Sequence, residues 1–130
     1  MSSTITSPEI VELPAELLET LTQIQEQKQI TVVVTVGSNP EVQYQRIWPT
    51  IELRSEVNAE CAKLLQVIGL NPFPNWTTIP AGIQKQFCLI FEPLSSEVSS
   101  FSIVEDIPET GGFFESGILR NKTDVYRVWQ

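Results

Sequence analysis

Residues 55–69 read SEVNAECAKLLQVIG, and whether they wind or extend decides the fold. Val57, Cys61, Leu64, Leu65 and Ile68 fall at i, i+4, i+7, i+8 and i+11, the spacing of one helical face. Ser55 stands where an N-terminal cap is wanted, and Gly69 where a left-handed C-terminal cap is wanted. Pro72 and Pro74 bar continuation. The spacing predicts a helix over 56–68, with Cys61 on its apolar stripe as a small core residue.

Upstream lies the strongest strand pattern of the chain. In QITVVVTVG, Val32, Val34 and Val36 alternate with Thr31, Val33 and Thr35, and the run carries no charge. β-branched residues suit a pleated surface, and an uncharged strand left at an edge would pair with other chains, so a central position is expected. Gly37-Ser38-Asn39-Pro40 ends it as a turn. Val42, Tyr44 and Arg46 then alternate with Gln43, Gln45 and Ile47, which predicts a hairpin with the first strand across Gly37–Glu41. Pro49 marks a bulge or an edge, and Ile51 and Leu53 continue beyond it. Before all of this, Leu13, Leu17, Leu21 and Ile24 recur at helical steps over 14–27, with Glu16, Glu19 and Glu26 mostly off the stripe. Residues 1–12 fit either a helical turn after Ser7 or a short strand at Ile10 and Val11.

Downstream, period two returns. Short runs at Trp76–Ile79, Phe87–Phe91, Phe101–Val104, Phe113–Ile118 and Val125–Trp129 follow one another at intervals of about ten residues. Gly111-Gly112 reads as a turn or bulge leading into a strand, and Arg120 and Lys122 as polar turn residues. The expected fold is therefore α+β: one domain over 1–130, an antiparallel β-sandwich of about six or seven strands with two amphipathic helices packed on it. The acidic helix over 14–27 precedes a β-rich body, 30–130, that carries the helix over 56–68.

Composition supports a folded domain, with 42% apolar and 18% charged residues. Net charge is −8 and unevenly placed: residues 1–27 hold five glutamates and no base, and residues 92–115 hold six acids and no base. Such a chain repels phosphate backbones and anionic membrane surfaces, so neither nucleic acid nor membrane is an expected partner. No basic leader and no apolar stretch of membrane-spanning length appear, so the expected localisation is cytoplasmic, with Cys61 and Cys88 as free thiols.

With no histidine, the Ser-His-Asp triad, the Cys-His pair and imidazole metal sites are excluded. Two isolated cysteines cannot build a structural zinc site. Glu105, Asp106 and Glu109 lack the ligand rhythm of a calcium loop, and no phosphate-binding glycine motif is present. Hence no catalytic residue, metal or cofactor is expected, although paired carboxylates acting alone stay open. The three tryptophans invite another reading. Trp76, with Pro72, Phe73 and Pro74, forms an aromatic-proline segment of the kind that anchors interfaces.

Residues 77–106, TTIPAGIQKQFCLIFEPLSSEVSSFSIVED, hold a turn, an alternating strand, a proline break and a second strand ending in acid. The segment over about 75–106 resembles strands near the end of bacterial immunoglobulin-like β-sandwich accessory domains. That resemblance implies a scaffold whose loops or edges bind. The resulting expectation is a small acidic protein-interaction module, an adapter, assembly factor or inhibitor of a larger protein. Phe73 and Trp76 would be its apolar anchors and Glu105, Asp106 and Glu109 its steering rim. The alternative is a small-molecule-binding domain with an apolar pocket between helix and sheet. Self-association stays open.

Overall fold

A computed structural model describes residues 28–130. The helix expected over 14–27 lies outside them. Nine strands form among the described residues: β1 (Ile30–Val36), β2 (Gln43–Gln45), β3 (Glu52–Ser55), β4 (Cys61–Ile68), β5 (Thr77–Ile79), β6 (Lys85–Phe91), β7 (Ser100–Val104), β8 (Phe114–Leu119) and β9 (Val125–Trp129). Seven join one sheet in the order β8-β7-β3-β4-β6-β1-β9, and β2 and β5 pair as a separate ribbon. The described residues contain no helix, so the expected α+β sandwich gives way to an all-β fold. The long sheet curls into a nearly closed barrel. Its two edges, β8 and β9, face each other across an open cleft of about 650 Å³ instead of pairing.

The helix expected over 56–68 is a tight turn followed by β4. A β-bulge interrupts its alternation. The register of β4 against β6 shifts between Leu64 and Gln66, which inserts one extra residue into the alternation. Ala62, Leu64 and Val67 therefore reach the core at steps of two and three, and of the helical stripe only Leu64 is among them. Leu65 and Ile68, assigned to the helical stripe, are half exposed, and Cys61 is exposed rather than buried. Ser55 does make cap-type bonds, its Oγ accepting the Val57 and Asn58 backbone N–H groups at 3.1 Å each, but these close an isolated turn. Gly69 has a φ of 97°, as a left-handed cap would, at the end of a strand.

The bulge also lets one strand serve two neighbours. The start of β4 pairs with β3 and its later part with β6, so the sheet bends there and wraps around one core. That core holds Val32, Val34, Leu53, Phe87, Leu89, Phe91, Phe101 and Ile103, all essentially inaccessible to solvent. The uncharged β1 is interior as its composition requires, antiparallel to β6 on one side and parallel to β9 on the other. It does not form the expected hairpin with the following strand. The loop after β1 turns back, with the Gln43 Nε2 donating to the Gly37 carbonyl at 2.9 Å and the Gly82 N–H to the Asn39 carbonyl at 2.7 Å. This carries β2 to β5. No helix of the described residues is long and apolar enough to cross a membrane.

Candidate functional site

The ribbon β2–β5 sets the site. Its register pairs Tyr44 with Thr78 and Gln45 with Thr77, and one further step places Arg46 opposite Trp76. Side chains alternate along strands, so Tyr44, Arg46, Trp76 and Thr78 stand on one face. Tyr44 and Trp76 are 62% and 51% exposed. With Thr78 they line an open groove of about 420 Å³.

Arg46 packs against the Trp76 ring on this face. Its Cζ lies 4.0 Å from the centre of the Trp76 ring and 5.4 and 5.5 Å from Phe73 and Trp48. Nη2 pairs with the Glu109 carboxylate at 2.9 Å and Nη1 donates to the Pro74 carbonyl at 3.3 Å, while the buried Nε has no partner. Guanidinium over an indole face is an attractive pairing that strengthens as water is excluded. Trp48 and Phe73 pack against each other with ring centres 4.7 Å apart. The backbone of Trp76 is held as well, its carbonyl accepting from the Asn71 Nδ2 at 2.9 Å. An exposed tryptophan is thus fixed in place.

The residues singled out from sequence meet here in different roles. Trp76 is the exposed anchor, whereas Phe73 is half buried beneath it against Trp48. Glu109 is exposed and clamps Arg46. Asp106 is exposed, and its carbonyl accepts the Thr50 hydroxyl at 3.3 Å. Glu105 does not belong to a rim. Its side chain points inward and accepts the Trp48 N–H at 2.8 Å and the Phe113 N–H at 2.9 Å, stapling two loops beneath the platform. Tyr44 and Arg46 were missed as site residues because sequence alternation paired β2 with β1. Only the true partner, β5, sets Arg46 against Trp76.

A second polar cluster closes the β8–β9 turn. Arg120 meets Asp124 with two bonds, Nε to Oδ1 at 3.0 Å and Nη2 to Oδ2 at 3.2 Å, and Nη1 donates to the Ser95 and Val98 carbonyls. Tyr126 donates its hydroxyl to Asp124 at 2.7 Å. Burial, with the Asp124 carboxylate beside it, raises the Tyr126 pKa above its ordinary 10.0. Burial works to lower the Arg120 pKa, but the hydrogen bond and charge of Asp124 outweigh it and the net direction is upward. Arg120 is therefore an internal strut rather than a polar turn residue. Across the sheet, Ser95 donates its N–H and its hydroxyl to Glu60 at 2.8 and 2.7 Å, which lowers the Glu60 pKa. These groups are spent on holding loops together.

The pocket expected between helix and sheet has no helix to form it among the described residues. Compared with protein-family models, with curated proteins and with solved structures, the chain matches none.

Proposed function

We propose that this chain is a non-catalytic protein-interaction module that seats a partner on the Tyr44–Trp76 face. The observation that carries this reading is a half-exposed tryptophan immobilised by Arg46. A large aromatic surface presented in one conformation loses little side-chain entropy on binding and leaves water readily, which are the properties of interface anchors. Glu109 stands exposed beside it, paired with Arg46, and with Asp106, exposed three residues earlier in the chain, favours the approach of a basic partner. The free thiols Cys61 and Cys88 fit a reducing, cytoplasmic setting.

The test is affinity capture from native cell extract with the unaltered chain and with Tyr44→Ala, each at low and high salt. A stoichiometric partner retained by the first, lost from the second and weakened by salt is the expected result. Identical partner sets for the two chains would sink the proposal.

A further inference from the structure

We infer that the open edge of β9 takes the chain's own segment Ile10–Leu13 as an antiparallel partner strand, laid in the cleft between β8 and β9. This site is separate from the Tyr44–Trp76 face and does not rest on the reading given for that face.

The backbone of the edge is the first argument. The Thr31 N–H donates to the Asp124 carbonyl and the Gln130 N–H to the Thr35 carbonyl, each at 2.9 Å. Backbone groups alternate in direction along a strand, so the even-numbered residues of β9 turn theirs to β1, and Val125, Arg127 and Trp129 turn theirs to the cleft. The Val125 carbonyl accepts the Asn121 Nδ2 at 2.9 Å, which keeps β8 from closing onto β9 from their shared turn. Arg127 and Trp129 keep two N–H and two C=O groups with no partner strand among the described residues. Such a row is a template for an extended chain. The opposite bank is a poorer one: β8 shifts register against β7 between Phe101 and Ile103, and its Gly117 N–H donates to Glu56 at 2.9 Å. One more strand would bring the seven-stranded sheet to the eight at which a barrel interior fills with side chains.

Side chains define the occupant. Val125, Arg127 and Trp129 are exposed, while Tyr126 and Val128 are buried. Arg127 has no carboxylate within ion-pair distance among the described residues. An antiparallel partner bonded to Trp129 and Arg127 sets successive residues opposite Trp129, Val128, Arg127 and Tyr126. Cross-strand pairing then asks for a β-branched or aromatic residue, an apolar residue, an acid and an apolar residue, in that order. Among residues 1–27 this order occurs once, as Ile10-Val11-Glu12-Leu13, and Pro14 follows where pairing ends.

Position selects the source. In this orientation Leu13 comes to the Tyr126 end of β9, the end at which the chain enters β1, since Thr31 is bonded to Asp124. Residues 14–29 have only to cross β9, two strand spacings or about 10 Å. A tether holds its segment at an effective concentration in the millimolar range, above that of a separate chain.

The experiment is hydrogen–deuterium exchange of the ¹⁵N-labelled full chain, read by NMR at the backbone amides of Arg127 and Trp129 at two protein concentrations. Protection of both amides is expected, equal at the two concentrations. Ile10→Pro removes a donor to β9 and is expected to abolish the protection. Glu12→Lys and Arg127→Glu are each expected to speed exchange at Trp129 roughly fivefold, and the two together to restore it. Exchange in the unaltered chain as fast as at the exposed Lys122 amide overturns the proposal. Protection that rises with concentration assigns the edge to a second copy, and protection untouched by the changes at Ile10 and Glu12 assigns it to another occupant; either overturns the proposal. A charge exchange that restores nothing overturns the register.

Discussion

Arg46 lies over Trp76 with its Cζ 4.0 Å from the ring centre, because the two residues oppose each other just past the end of the β2–β5 ribbon. The Trp76 ring and the Glu109 carboxylate hold the guanidinium, and the Trp48 and Phe73 ring centres lie 5.5 and 5.4 Å from its Cζ. Removing the arginine therefore removes packing and charge together. Arg46→Ala is expected to cost about 2–3 kcal/mol in urea denaturation and to mobilise the Trp76 indole in fluorescence anisotropy. Glu109→Gln touches an exposed partner and is expected to cost under about 1 kcal/mol. Equal costs for the two replacements would mean that the ion pair, not the stack, organises the site.

Glu105 joins the two loops that support the platform. Replacing it with alanine leaves the N–H groups of Trp48 and Phe113 without an acceptor, and an unsatisfied buried donor costs about 1–3 kcal/mol. A loss of about 2–4 kcal/mol in chemical denaturation is expected, with Glu105→Gln intermediate because its remaining oxygen still accepts one bond. No change in stability with alanine would show that water replaces the carboxylate.

Gly111 and Gly112 are adjacent and needed for different reasons. Gly111 has a φ of 91° and open space around it, so alanine there suffers backbone strain alone, about 1–2 kcal/mol. A β-carbon on Gly112 would collide with the carbonyl oxygen of Glu105, a backbone atom that cannot rotate away. Thermal denaturation should rank Gly112→Ala as the more damaging replacement. The reverse order would place the constraint in φ.

Two groups tie stability to pH at opposite ends. The Glu60 pKa is lowered from its ordinary 4.5 by its bonds from Ser95, so the folded state favours the ionised form. That contribution is present above pH 4.5 and is lost as pH falls through the lower folded value. Tyr126 is shifted the other way, chiefly by burial. Its contribution is present below pH 10.0 and is lost as pH rises beyond it. Tm measured against pH should fall in both ranges; Glu60→Gln should flatten the acid arm and Tyr126→Phe the alkaline arm. Unaltered arms would move the titration to other groups.

If Asp106 and Glu109 steer a basic partner, Asp106→Lys combined with Glu109→Gln should slow association and flatten its dependence on salt, with less change in dissociation. Stopped-flow association at several ionic strengths measures this. Unchanged rates would remove both acids from the encounter.

Local pattern was enough for several elements. The alternation of Val32, Val34 and Val36, of Phe87, Leu89 and Phe91, and of Phe101 and Ile103 specified strands with these residues inward, because period two leaves an apolar stripe only on an extended chain. The lack of charge in β1 specified its interior position. Trp76 and Glu109, singled out by their chemistry, are exposed, whereas Phe73 is half buried and Glu105 points inward.

Pairing was not legible, and it decided the rest. Val57, Cys61, Leu64, Leu65 and Ile68 have the spacing of a helix, and only the hydrogen bonds of β4 to β3 and β6 show that the segment is extended, with an inserted residue between Leu64 and Gln66. Tyr44 and Arg46 became site residues only when β2 found β5 instead of β1. The sequence by itself determined the extended course and inward residues of β1, β6 and β7, since these follow from side-chain volume, branching and period. Tertiary structure alone decided which strands pair, where the register slips, and hence that Arg46 lies over Trp76. Those outcomes depend on contacts between segments far apart in the chain, and no local pattern encodes them.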